Sequence, residues 1–491
     1  MTGRDLAPDL ILRAEAQSAV TRPPLVVDLD GSLVKTDLLI ESAFVLLKRN
    51  SLYFFLFPFW LLKGIAYFKR QISMRATLDF TALPYHEELA GHLKAERSHG
   101  RRLVLATAAD ERIAQQVADY LGLFDLVLAS DGRLNLSSRA KSEQLIARFG
   151  VRGFDYVGNG RRDLAVWSSA RKGVLVDPSR WLTRRAGQVV EIERVFDQRP
   201  GRLYAFIRAL RPEQWLKNVL VFVPLVMLTE FARFDLLDRA VLAFFAFGLC
   251  ASSVYLVNDL ADLDADRRHP DKRHRPIAAG ELPLLWALIS APLLLGLSLT
   301  IGLSLPLTFD ATLIVYYLLN LGYSFTLKRI VLLDVIVLAG LYTMRIMAGS
   351  ASVNLWPSSW LLAFSTFLFL SLALVKRYAE LEMVRVASGD AAQVRGYRVI
   401  DMELLASLGS GSGYVAVLVL AIYISSGAAQ LVYTRHMLMW LLCPLQLYWI
   451  SHVWLIAHRG KMRDDPLLFT VRDRSSQAVG ILSAIIFFVS K

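Results

Sequence analysis

The chain changes its pattern of apolar and polar positions once, near residue 210. Before that point, short β-type runs alternate with helix-length amphipathic stretches. The runs are 25–28 (LVVD), 103–107 (LVLAT), 126–130 (LVLAS), 155–158 (DYVG) and 173–177 (GVLVD). Segments such as DERIAQQVADYLG (110–122) separate most of them. This alternation predicts a doubly wound parallel sheet, hence an α/β, Rossmann-like domain over 24–180. Residues 1–23 read as a polar tail, and 181–210, charged and mixed, as a linker.

Beyond 210 the pattern becomes long apolar runs. Nine segments lie near 217–233, 238–257, 283–303, 308–326, 330–349, 356–375, 411–428, 436–456 and 477–490. Most approach the roughly 20 residues that cross a bilayer. They predict an all-α membrane domain of about nine transmembrane helices over 211–491. One further apolar run, SLYFFLFPFWLLKGIAYF (51–68), falls inside the first half. Pro58 and Lys63 interrupt it, and Lys48 and Arg49 precede it. It is expected to be a helical insertion lying on the bilayer surface, with a buried core or a spanning hairpin as alternatives.

Composition agrees with this division. Of 491 residues, 55% are hydrophobic, too many for an ordinary soluble protein. Two cysteines, Cys250 and Cys443, both in apolar runs, exclude a disulfide or zinc framework. The net charge of +12 would suit a nucleic-acid partner, but its distribution assigns it to membrane loops, and no nucleic acid is expected. If the first segment enters from the cytoplasm, the four inward connections carry seventeen Lys and Arg, among them Arg267, Arg268, Lys272, Lys328, Lys376 and Arg463. The outward side has three: Arg233, Arg239 and Arg435. Basic residues collect on the cytoplasmic side. The expectation is a multi-pass protein of the cell's inner membrane with its N-terminal domain in the cytoplasm. A homo-oligomer is compatible with all of this.

The densest chemistry lies in YLVNDLADLDADRRHPDKRHRPIAAG (255–280). On a helix, Asn258, Asp262 and Asp266 fall at i, i+4 and i+8, on one face, with Asp259 at its edge and Asp264 elsewhere. Unpaired carboxylates near a bilayer are costly, so a cation must compensate. Oxygen donors suit Mg2+, which bridges carboxylates to substrate phosphates. Arg267, Arg268, Lys272, Arg273 and Arg275 follow as donors for phosphate oxygens. The segment reads as a metal–diphosphate clamp at the inner membrane face. A solvated loop with internal ion pairs is the bland alternative.

NDLADLDAD (258–266) also fits the N-D-x-x-D-x-x-x-D signature of the UbiA superfamily of intramembrane prenyltransferases. The chain more closely resembles that superfamily's decaprenyl-phosphate phosphoribosyltransferase branch over about 205–491. That resemblance rests on RPEQWLKNVLVFVPL (211–225), the 255–280 stretch, YSFTLKRIVLLDV (323–335), YTMRIMAG (342–349), KRYAEL (376–381) and RDRSSQ (472–477). It implies a donor, phosphoribosyl pyrophosphate, and an acceptor, a membrane polyprenyl phosphate. It implies Mg2+ on Asn258, Asp259, Asp262 and Asp266, with Asp262 and Asp266 catalytic. Matching positions nominate Lys217, Lys272, Arg275, Lys328, Lys376 and Arg377 for phosphate contacts, and Tyr378 and Glu380 to orient the sugar. Inner-leaflet anchoring would account for any one of these bases equally. Aromatic-ring members of the superfamily carry a second D-x-x-x-D, whereas only Asp334 stands near that place here. A UbiA-type aromatic prenyltransferase is therefore the rival enzyme, and an intramembrane ion path the non-enzymatic one.

VVDLDGSL (26–33) resembles the first motif of haloacid-dehalogenase-type phosphatases, over about 24–180 with residues 34–100 as a helical cap. The resemblance implies that Asp28 is a nucleophile and Asp30 a general acid–base. It implies that Thr107 holds the phosphate and that Lys141 neutralises charge. Asp28, Asp30, Asn159 and Asp163 would hold Mg2+. GNGRRD (158–163) departs from the usual G-D-x-x-x-D, because Asn159 replaces the first acid. A degenerate scaffold domain is the alternative. Together the halves suggest a transferase whose phosphorylated product is dephosphorylated by the first domain.

Overall fold

The computed structural model describes residues 22–197, 200–227, 234–389, 393–462 and 465–491. Residues 1–21 of the expected tail, together with Arg233 and Arg463, lie outside the described residues. The chain divides into two compact units, one of 1–209 plus 262–287, the other of 210–261 plus 288–491.

In the first unit every expected run becomes a strand: β1 (Leu25–Val27), β2 (Leu103–Asp110), β3 (Leu126–Ser130), β4 (Asp155–Gly158) and β5 (Lys172–Val176). A sixth, β6 (Glu191–Phe196), completes a sheet of order β3-β2-β1-β4-β5-β6. All its pairings are parallel. Alternate residues enter opposite cores. Leu25, Val27, Leu103, Leu105 and Val157 face one side, and Val26, Val104, Ala106, Tyr156 and Leu175 the other. Burial on both faces is why these strands read as continuous apolar runs.

Residues 181–210 depart from the expected linker. They hold helix Arg180–Ala186, then β6, then helix Arg202–Leu210. EIERVF is mostly exposed on β6, and its charges are those of a sheet edge shielded from further pairing.

The cap is smaller than 34–100. Helices α1 (Leu38–Arg49), α2 (Tyr53–Leu62) and α3 (Ile65–Ser73) share a separate apolar cluster of Leu46, Trp60, Phe68 and Ile72. Helix α4 (Glu87–Ser98) instead contributes Leu89 and Leu93 to the main core. Helix α2 buries only Trp60 and exposes Phe54, Phe55, Phe59 and Leu62, the last at 85%.

The second unit is helical. Among the described residues, six helices are long and apolar enough to cross a membrane: Leu236–Ala261, Leu284–Gly302, Leu333–Ser352, Ser359–Val386, Val399–Ser425 and His436–His458. Three of the nine expected segments are built differently. The first becomes a 3-10 helix, Pro212–Phe222, followed by the short helix Val223–Met227. The fourth is helix Leu307–Phe325, whose buried side includes Asp310, Asn320 and Ser324. The ninth lies in the 17-residue helix Arg474–Ser490. The chain is a multi-pass membrane protein by these helices, and the count of nine stays an expectation.

Asp155 at the start of β4 is fully buried. It accepts from Arg171 Nε (2.9 Å) and Nη2 (2.6 Å) and from Lys172 N (3.0 Å), and it pairs with the buried Arg101. Removing one partner of a buried ion pair typically costs about 3–5 kcal/mol. Asp155→Ala should therefore lower the thermal unfolding midpoint of the first unit clearly. An unchanged midpoint would show that this cluster does not hold the strand.

Candidate active sites

The first site lies at the C-terminal ends of β1, β2 and β4, where the strand order reverses. That crevice is the usual ligand position in open parallel sheets. Asp28 follows β1 and accepts from Lys141 Nζ at 2.6 Å. The same ammonium donates to Tyr156 Oη at 3.1 Å, and Tyr156 donates to Asp163 Oδ1 at 2.8 Å. Asp163 Oδ2 accepts from the Asn159 and Gly160 amides. Asp30 Oδ1 accepts from Leu38 N at 2.9 Å, at the start of α1. Thr107, fully buried on β2, accepts from Ala109 N. Gly31 (φ +75°) needs glycine, because a Cβ there would lie 2.1 Å from Asn159 Nδ2. Asp28, Lys141, Asp163 and Asn159 are thus gathered, as the motif spacing implies.

Burial pushes the Asp28 carboxyl up to about 6, against the opposing pull of Lys141 and with a further push from Asp163. Burial pushes Asp30 higher, to about 7, helped by Asp37. A carboxyl that keeps its proton near neutrality suits a general acid. The carboxyl oxygens of Asp28, Asp30 and Asp163 are donors of the kind that hold a hard cation such as Mg2+, with the Lys141 ammonium beside Asp28.

Two contributors were not foreseen. Lys69 on α3 donates to Ala108 O (2.6 Å) and Asn135 Oδ1 (2.8 Å), beside Thr107. Its ammonium is depressed by burial, while Asp30 and Asp37 pull it back up. The sequence signal was weak, a basic residue on an amphipathic cap helix. Tyr156 was legible only as the inward position of DYVG.

The second site is less closely assembled than the spacing suggests. The helix Phe234–Ala261 stops before Asp262, and a short helix, Leu263–Arg268, follows. Asp262 (φ −97°, ψ 10°) stands at the N-cap position of the second helix, so the motif is not carried on one unbroken helix. Helical spacing persists locally, since Asp266 N donates to Asp262 O at 2.8 Å. Asn258 and Asp259 belong to the second unit, and Asp262 and Asp266 to the first. Asp259 is paired with Arg211, and Asp266 with Arg275. Among the described residues, no three Asp, Glu, His or Cys side chains converge as a metal centre. These guanidinium pairs supply the compensating charge for Asp259 and Asp266. Amide and carboxylate oxygens are the donor types that suit Mg2+. Asn258 Oδ1 is buried without a hydrogen-bond partner among the described residues.

Several nominated bases have other tasks. Arg267 is buried against Glu41, and Arg268 pairs with Asp79. Lys272 and Lys328 are half-buried on short 3-10 turns. Arg377, 1% exposed, is held by Asp334, Glu380 and Tyr323 rather than presented to a phosphate. Tyr378 lies on the other side of that helix, with its hydroxyl 2.8 Å from His458 Nδ1. It therefore does not share a site with Glu380, which is bound to Arg377. Helical geometry explains the correction, because residues two apart do not face the same way. Asp334 is fully buried between Arg377 and the Tyr397 hydroxyl, in a structural role.

Lys217 and Lys376 do converge, on an acid that sequence reasoning missed. Asp465 Oδ2 accepts from Lys217 Nζ at 2.8 Å and Lys376 Nζ at 3.2 Å, and Tyr342 donates to it at 3.1 Å. Asp465 also caps helix Pro466–Arg472 through Leu467 N. Asp followed by Pro at a helix start was the available signal. Nearby, Arg345 is buried, bonded to Asn218 Oδ1 and Tyr316 Oη, with the rings of Phe247, Tyr316 and Tyr342 around it.

Apolar helices of spanning length, with acids and bases gathered at their ends, mark a multi-pass membrane protein. The UbiA prenyltransferase family model matches residues 219–472, and the chain belongs to that family. Uncharacterized protein y4nM of Sinorhizobium fredii is 35% identical over 471 residues, covering 95% of this chain and 91% of that one. A decaprenyl-phosphate phosphoribosyltransferase of Mycobacterium tuberculosis is 39% identical over 197 residues, or 39% of this chain and 65% of that relative. A solved structure of a UbiA homolog from Archaeoglobus fulgidus, bound to DMAPP and Mg2+, is 19% identical. It covers 58% of this chain and 96% of its own, with a TM-score of 0.45. The first unit resembles haloacid-dehalogenase-type phosphatases in where its motif residues fall on the sheet.

Without Asp465 the buried Lys217 loses its counter-ion and faces Lys376. Breaking such a pair should cost about 3–5 kcal/mol. Asp465→Ala should lower the melting temperature in detergent, and Asp465→Asn should recover little of the loss. Melting equal to wild type for both variants would contradict the role of this hub.

Proposed function

We propose that the chain transfers a 5-phosphoribosyl group from phosphoribosyl pyrophosphate to a polyprenyl phosphate at the cytoplasmic face of the inner membrane. We propose further that the first unit then removes the 5-phosphate. The observation that carries the transferase reading is the single acidic motif at 258–266. Asp334, the one acid near a second motif, is committed to Arg377 and Tyr397. That supports one diphosphate-binding site rather than the paired acids of an aromatic prenyltransferase. Similarity to the mycobacterial phosphoribosyltransferase supports the choice of donor and acceptor.

Mg2+ held by Asn258, Asp262 and Asp266 would neutralise the charge that develops on the departing diphosphate. An oxygen of the lipid phosphate bonds to C1 of the ribose as the bond from C1 to the diphosphate oxygen breaks. The lipid phosphate is already ionised, so no protein base is needed. Lys217 and Lys376, brought together at Asp465, position phosphate oxygens, and catalysis is mostly orientation and charge stabilisation.

In the first unit, the Asp28 carboxylate attacks phosphorus and forms an aspartyl phosphate, while Asp30 gives its proton to the leaving 5-oxygen. Asp30 then takes a proton from the water that hydrolyses the acyl phosphate. Lys141 offsets charge at Asp28 throughout. The exposed Phe54, Phe55, Phe59 and Leu62 of α2, flanked by Lys48, Arg49 and Lys63, lay the cap on the bilayer, where a lipid substrate is found.

The test uses purified protein in detergent, labelled phosphoribosyl pyrophosphate and polyprenyl phosphate. Label should enter the organic phase only when Mg2+ is present. Label entering only from a prenyl diphosphate onto a phenol would replace this reading with the aromatic one. In the same assay Asp28→Asn should accumulate the phosphorylated lipid, and an unaltered product ratio would remove the phosphatase step.

A further inference from the structure

The stretch 262–287 packs as part of the first unit, although it follows a membrane helix in the chain. Specific contacts hold it there. Arg267 donates to both carboxylate oxygens of Glu41 on α1, with Nη2 to Oε2 at 3.3 Å, and its Nε reaches Ala278 O at 3.3 Å. The two side chains are only 4% and 2% exposed. Arg268 pairs with Asp79 near the surface. Gly280 (φ +71°) lies so close to the cap base that a Cβ would stand 2.7 Å from Lys35 Cβ and 3.2 Å from Pro84 Cγ. Only glycine allows that approach without strain.

These contacts bear on the acids of the second site. Arg267 directly follows Asp266 on one short helix, and Asp266 N is bonded to Asp262 O. A guanidinium buried against a buried carboxylate cannot shift without leaving a charge unpaired. Fixing Arg267 therefore fixes the turn that carries Asp262 and Asp266. Glu41 in turn sits near the start of α1, whose Leu38 amide is bonded to Asp30 of the phosphatase-type site. The helix that receives Asp30 at one end grips the 262–268 turn less than two turns later.

We propose that Glu41 and Arg267 are positioning residues for the transferase, and that the first unit sets the placement of Asp262 and Asp266. This rests on the transferase reading above.

The experiment uses the full chain in detergent. Glu41→Gln keeps the shape and removes the charge. Loss of a side chain that orients metal ligands typically weakens metal affinity about 10–100-fold. The expected result is a rise of that order in the Mg2+ concentration giving half-maximal transfer, with a smaller change in kcat at saturating Mg2+. The exchanged pair Glu41→Arg with Arg267→Glu should restore much of the affinity. Asp79→Asn, at the exposed pair, should change little. Amide hydrogen exchange supplies a readout independent of activity: Glu41→Gln should speed exchange at 262–268 even without Mg2+ or substrate. An unchanged Mg2+ requirement, or unchanged exchange at 262–268, would overturn the proposal. Wild-type protein that transfers nothing would refute the transferase reading instead, and the exchange result would still decide whether the clamp exists.

Discussion

A carboxylate beside the hydrocarbon of a bilayer has to be neutralised, and much of this protein follows from that requirement. Asp259, Asp262 and Asp266 follow one another along the chain where a membrane helix ends. Two of them are met by arginines, Arg211 and Arg275. The same logic recurs at Asp334 with Arg377, and at Asp465 with Lys217 and Lys376. Several of these pairs join segments distant in sequence, as Asp334 does with Arg377 and Asp465 with Lys217.

The first unit solves a similar problem without a membrane. Its parallel sheet buries both faces, which leaves polar chemistry only at strand ends. There Asp28, Lys141, Tyr156 and Asp163 form a continuous chain of contacts. Burial raises Asp28 to about 6 and Asp30 to about 7. Asn159 stands in for an acid, and its amide nitrogen takes the space beside Gly31. Asp28, Asp30 and Lys141 remain in place around that exchange.

The strands were legible because a buried parallel strand is a short apolar run between turn residues. Five runs became β1 to β5 at nearly their expected boundaries. β6 was missed because an edge strand carries charges that resemble a linker. Membrane helices with strong apolar character were legible, whereas 217–222 was not. There a Pro-initiated, Trp- and Lys-containing segment winds as a 3-10 helix. Asp28 and Asp30 lie together just after β1, as residues two apart in one short motif must. Lys69, Arg345 and Asp465 were hidden because their partners lie far away in sequence. Tyr378 and Glu380 were grouped together although residues two apart on a helix do not face the same way.

The central claim is that the 258–266 acids bind a diphosphate donor through a divalent cation. Equilibrium binding of phosphoribosyl pyrophosphate to the detergent-purified chain, without acceptor lipid, tests it most directly. The account predicts saturable binding that requires Mg2+ and is lost in Asp262→Asn while the protein stays folded. Binding of equal strength without Mg2+, or undiminished by Asp262→Asn, would contradict it.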